Sequence, residues 1–123
     1  METKVSKYSY NFICCTTLID EFDFSEIKRT NQKIKRKLKY YKLGDYDQIH
    51  IDYLRSLKNE LQDEIHLYNK SKYYQKKNKS KYADLGDFDT DLMVNDYVEK
   101  YDKVSKSDMY GIINFAIYLY YLR

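Results

Sequence analysis

A chain of 123 residues with 43% hydrophobic and 33% charged side chains is long enough to bury one core and too short for two domains of usual size, so we expect a single domain over 1–123. The apolar content excludes a disordered chain, and the absence of proline leaves helices uninterrupted. A net charge of +3 excludes a strongly one-signed protein, although the average conceals a segregated sequence.

The first apolar stretch, YNFICCTTLI at 10–19, follows Lys4 and Lys7, yet two threonines, a tyrosine and an asparagine dilute it and no small-x-small site precedes Asp20, so it does not read as a secretory signal. Tyr8, Phe12, Cys15, Ile19 and Phe22 recur at helical steps, with a strand as the alternative because CCTT and the aromatics suit one. Cys14 and Cys15 are adjacent and cannot readily bridge each other, which points to a reducing compartment, cytoplasmic or nuclear. Cys15 lies on the apolar stripe and reads as a core cysteine rather than a nucleophile.

A second helix, capped by Asp23 or Ser25, places Phe24, Ile27, Ile34, Leu38 and Tyr41 on one stripe and stops at Gly44. Asn31 falls on the same stripe, either as a partly exposed polar residue or as a position that fixes register. A third helix starts near Asp45 or Asp47 and turns Leu54, Leu57, Leu61, Ile65 and Tyr68 inward. The basic segment at 69–88 is either a frayed polar extension or a loop. Asp89 or Thr90 caps a helix with Val94, Tyr97, Val98, Tyr101 and Val104 inside. Ser107 caps a last helix, apolar nearly all round, that belongs at the centre of a bundle or at an interface, with a strand as the alternative at 109–122. At about 14 residues its apolar run is too short to span a bilayer. The expected fold is an all-α bundle of four or five helices.

Chemistry-bearing patterns are few. Asp47 with His50 and Asp63 with His66 stand three apart, a spacing able to ligate a metal from one helix face. The two pairs are sixteen residues apart on one helix, about 24 Å, so they cannot share an ion unless the helix breaks or two chains pair antiparallel. Three isolated glycines cannot form a phosphate loop, and no carboxylate stands where sequence alone predicts a raised pKa. We therefore expect no enzyme, no cofactor, no metal and no small-molecule substrate.

Charge carries the remaining signal. Residues 28–42 hold Lys28, Arg29, Lys33, Lys35, Arg36, Lys37, Lys39 and Lys42, and residues 70–81 hold Lys70, Lys72, Lys76, Lys77, Lys79 and Lys81, with no acid in either segment. The other 96 residues carry eight basic side chains against nineteen acidic ones. AT-rich codons explain much of the lysine and tyrosine content, and fit a viral or parasite genome, but they do not explain this exclusion of acid. The counter-charge is either internal, from the eight acids of 84–108, or external, from an acidic protein surface or nucleic-acid phosphates. Tyr40, Tyr73 and Tyr74, interleaved with the lysines, are candidate stacking rings. Tyr110, Phe115, Tyr118, Tyr120 and Tyr121 are the candidate interface of the last helix. The expected function is a small interaction protein that binds another protein or its own copy, with sequence-nonspecific RNA or DNA binding through 28–42 and 70–81 as the alternative.

Overall fold

The structure, a computed structural model, describes residues 9–21, 27–75 and 87–122. Among them are five α-helices and no strand: α1 Tyr10–Ile19, α2 Ile27–Tyr40, α3 Gln48–His66, α4 Thr90–Lys100 and α5 Lys106–Leu122, with a short 3-10 turn at Tyr68–Lys70. The fold is all-α, and the two segments that could have been strands, α1 and α5, are helices. No helix among the described residues is long and apolar enough to cross a membrane. The chain divides into two compact units, Met1–Lys58 and Asn59–Arg123.

In the first unit α1 begins where Ser9 accepts a hydrogen bond from the Phe12 amide at 3.0 Å. Its buried side chains are Ile13, Cys14, Cys15, Thr17, Leu18 and Ile19, a wider face than the expected stripe. Phe12 is only half-buried, while Tyr8 and Phe22 lie outside the described residues. The two threonines suit a helix because each bonds back to a carbonyl one turn earlier, Thr16 to Phe12 and Thr17 to Ile13, both at 2.7 Å.

Helix α2 buries Thr30, Ile34 and Leu38, four residues apart, and leaves its remaining sides to solvent or half-covered. Asp23, Phe24 and Ser25 fall outside the described residues. The expected stop at Gly44 comes two residues early: Leu43 donates to Leu38 and Lys42 to Lys39, with Lys42 in the left-handed region at φ 55°. A lysine takes a position that favours glycine, at a cost of about 1 kcal/mol. Gly44 has its own left-handed turn at φ 116° in the loop that follows. That loop is held by the Tyr10 hydroxyl, which donates to the Asp45 carbonyl at 2.7 Å and accepts from the Asp47 amide at 3.0 Å. Asp47 then caps α3 through the amides of Ile49 and His50. Ile51, Leu54 and Leu57 are buried along the first half of α3.

In the second unit the end of α3 buries Leu61 and Ile65, but Tyr68 is not on the helix: it opens the 3-10 turn with φ 51°. The chain either side of 76–86 is paired, Gln75 donating to Asp87 at 2.8 Å and Asp89 to Tyr73 at 2.7 Å. Asp89 caps α4, which packs on α5. Ser105, not Ser107, caps α5, since its hydroxyl takes the Asp108 amide and its carbonyl takes that of Met109. Helix α5 buries Met109, Ile112, Ile113, Ala116 and Ile117, and leaves Tyr110, Tyr118 and Leu122 open to solvent.

Candidate anion-binding face of α2

Because α2 buries a stripe only three side chains deep, its basic residues emerge on two flanks. At 100° per residue, Lys28, Lys35 and Lys39 share one flank, and Arg29, Lys33, Arg36, Lys37 and Tyr40 share the other. All are exposed. On the first flank Lys35 Nζ lies 4.9 Å from the centre of the Tyr46 ring, a cation–π contact. Burial raises the Tyr46 phenol above its ordinary value, and its hydroxyl donates to Gln48 at 2.7 Å.

The second flank carries a shallow depression that is open to solvent. Lys33, Arg36, Lys37, Tyr40 and Tyr41 line an open groove of about 430 Å³. The spacing 33, 36, 37, 40 brings four of these to one helical face. Lys37 is steered there by the hydrogen bond its Nζ donates to Thr17 of α1 at 3.1 Å. Tyr40 is 78% exposed and meets the half-buried Tyr41 edge to face, centroids 4.9 Å apart and planes at 89°. Among the described residues of this unit no carboxylate lies within ion-pair distance of Lys33, Lys35, Arg36, Lys37 or Lys39; the ion pairs there join Glu21 to Arg55 at 2.6 Å and to Lys58 at 3.4 Å. Asn31 is turned to that cluster, accepting from Arg55 at 3.2 Å, so it is a partly exposed polar residue with an internal partner.

The second basic segment is described only in part: Lys70 and Lys72 are exposed, and Lys76, Lys77, Lys79 and Lys81 lie outside the described residues. Its rings are not free to stack. Tyr73 is 4% exposed and donates to Asp96 at 2.7 Å, and Tyr74 is half-buried against Phe88 and Tyr68. The exposure expected for both is therefore corrected: the chain folds back here to pair with Phe88, and the rings go inward with it. Tyr40 alone of the three stacking candidates offers an open face.

The acids of 84–108 have a use that sequence reading missed. Asp87 accepts from Tyr121 at 2.8 Å and Tyr68 at 3.0 Å, Asp96 from Tyr73, and Asp91 from Tyr110 at 3.1 Å. Burial, then the Asp87 carboxylate, pushes Tyr68 up to about 12 and drives Tyr121 in the same direction. Asp84 lies outside the described residues. Of the candidate interface, Tyr120 and Tyr121 are half-buried in a ring cluster with Tyr68, Phe115 is half-buried, and Tyr110 and Tyr118 are exposed.

Both histidines are engaged within the fold. His50 Nε2 is hydrogen-bonded to Asn11 at 2.5 Å and its ring stacks on Tyr53, while His66 Nδ1 donates to the Gln62 carbonyl at 2.6 Å. Among the described residues no group of three or more His, Cys, Asp or Glu side chains is placed to hold a metal. Both cysteines are fully buried, and burial pushes the Cys14 thiol up to about 12 and that of Cys15 further in the same direction. Comparison of the chain with protein-family models, with curated proteins and with solved structures finds no match.

Proposed function

We propose that the chain is a helical interaction module that binds a polyanionic partner through the outer flanks of α2. One observation carries this reading: Lys33, Arg36 and Lys37 converge on a single groove with no carboxylate of their own unit beside them among the described residues. Like charges at i, i+4, such as Lys33 with Lys37, cost a few tenths of a kcal/mol each in the free protein, and an anion across the groove offsets that cost. Of the tyrosines assigned to an interface, Tyr121 and Tyr110 donate to Asp87 and Asp91, and Tyr120 is half-buried in a ring cluster, which leaves α2 as the better-supported surface.

The test is binding to heparin and to polyglutamate at low salt, compared with the double variant Lys33→Glu, Arg36→Glu. The native chain is expected to bind and the variant to lose binding at unchanged helix content. A native chain that ignores every polyanion defeats the proposal. Contact with a protein or a second copy through α5 is the second reading, supported by the exposure of Tyr118 and Leu122; it predicts a dimer that Tyr118→Glu dissociates, read by sedimentation.

A further inference from the structure

We infer that the groove of α2 takes a single strand of nucleic acid, with phosphates on Lys33, Arg36 and Lys37 and a base stacked on Tyr40. The inference rests on the proposed anion-binding role and adds the chemical class of the ligand.

Tyr40, 78% exposed, stands among cations. An acidic peptide would satisfy Lys33, Arg36 and Lys37 and leave the ring idle in water. A nucleotide carries both halves of what the groove presents, an anion and a flat π face, at a short distance from each other. Lys33 and Tyr40 are seven residues apart, about 10 Å along the helix axis, so one short stretch of strand reaches both. Arg36 supplies the planar fork that grips a phosphate with two hydrogen bonds, and Lys37, already oriented by Thr17, adds a fixed point charge. Tyr41, edge-on to Tyr40, buttresses the ring and limits its rotation.

Stacking requires an unpaired base, so a duplex can use the cations but not Tyr40. Every base has a π face, so the binding tolerates any sequence. The opposite flank, Lys28, Lys35 and Lys39, shares the charge but has no open ring in its row, and Lys35 already lies over Tyr46. It adds attraction without selectivity for single strands.

The test uses the full chain and fluorescein-labelled homopyrimidine strands of DNA and of RNA, with a duplex of equal length, followed by anisotropy across a salt titration. With three phosphates neutralised, the log–log salt slope for a single strand is expected near about −2, so raising salt from about 50 to about 200 mM weakens binding roughly 20-fold. Tyr40→Ala should weaken both single strands about 5- to 150-fold and leave the duplex unchanged, while Tyr40→Phe, which keeps the ring, should restore them. Tyr40 is exposed, so neither variant threatens the fold, and circular dichroism checks that. Equal losses for strand and duplex, or no loss with Tyr40→Ala, overturn the inference. Binding of heparin or polyglutamate without binding of either single strand overturns it and leaves the anion-binding role standing; failure to bind any polyanion overturns both.

Discussion

Alkaline pH should unfold this chain earlier than its sixteen tyrosines would suggest if they were ordinary phenols. Tyr73 and Tyr97 are 4% and 7% exposed. Burial, reinforced for Tyr73 by the acceptor Asp96 and for Tyr97 by the nearby Glu64, raises both phenols above the ordinary value of 10.0, Tyr97 to about 12. A phenol whose folded pKa exceeds its unfolded one contributes its full stability below about pH 10 and loses it as pH climbs through the folded value. Between those limits the unfolded chain has released protons that the native chain still holds. Each such tyrosine subtracts at most about 1.4 kcal/mol per pH unit, so the two together remove at most about 2.7 kcal/mol per unit, less where solvent screens the Tyr73 hydroxyl beside the exposed Asp96. Tyr68 and Tyr121 act in the same direction but are half-buried, and solvent screening reduces their share. A loss of up to about 5 kcal/mol over two units is a large share of the stability of an ordinary small protein. Urea unfolding followed by helical circular dichroism at successive pH values measures the slope directly, and Tyr97→Phe should flatten it by about 1.4 kcal/mol per unit. If all tyrosines titrate together near pH 10 by absorbance while helix content and urea midpoint stay constant, the reasoning is wrong.

Three other outcomes follow from features of the first unit. Glu21→Ala leaves Arg55 and Lys58 facing each other without their shared carboxylate and should cost about 2 kcal/mol, below the figure for a fully buried pair because Arg55 reaches solvent; an unchanged urea midpoint would count against the cluster. Lys42→Gly relieves a left-handed backbone at the end of α2 and should stabilise by up to about 1 kcal/mol, partly offset by the added freedom of the unfolded chain; destabilisation would deny the strain. Cys14 and Cys15, buried and with raised thiols, should resist a thiol-reactive dye in the native protein and label at once in denaturant, and fast native labelling of either would contradict their burial.

Much of the fold is legible in the sequence because local periodicity and capping decide it. Ile34 and Leu38, then Leu54, Leu57, Leu61 and Ile65, are buried at the positions the 3.6-residue rhythm marks, and of the alternative helix starts, Asp45 or Asp47 and Asp89 or Thr90, Asp47 and Asp89 are the caps. The stop of α2 was misplaced because glycine normally takes the left-handed residue of this motif, and here Lys42 does. Ser105 and Ser107 are equivalent as letters, and only the bonds from the Asp108 and Met109 amides separate them. The charge segregation of α2 and the grouping of Lys33, Arg36, Lys37 and Tyr40 were also within reach, since a helix and its spacing suffice. The tyrosine–aspartate pairs were not: Tyr121 and Asp87 are 34 residues apart, Tyr73 and Asp96 are 23 apart, and no periodic signal links them. Only the coincidence of many tyrosines with an acid-rich segment hinted at such pairing. The inward turn of Tyr73 was hidden for the same reason, because it stands in a lysine-rich segment while its hydrogen-bond partner, Asp96, is 23 residues away.

The hydroxyl of Thr17 donates to the Ile13 carbonyl inside α1 and accepts from Lys37. One buried atom thus sets both the interior of a helix and the aim of a side chain on the outer surface. Thr17→Val would keep the volume and the burial while freeing Lys37, so drift at an interior position would alter binding with no change at the surface. Selection for a ligand then extends past the side chains that touch it, and in any lineage that keeps the α2 groove, positions 17 and 37 should change together.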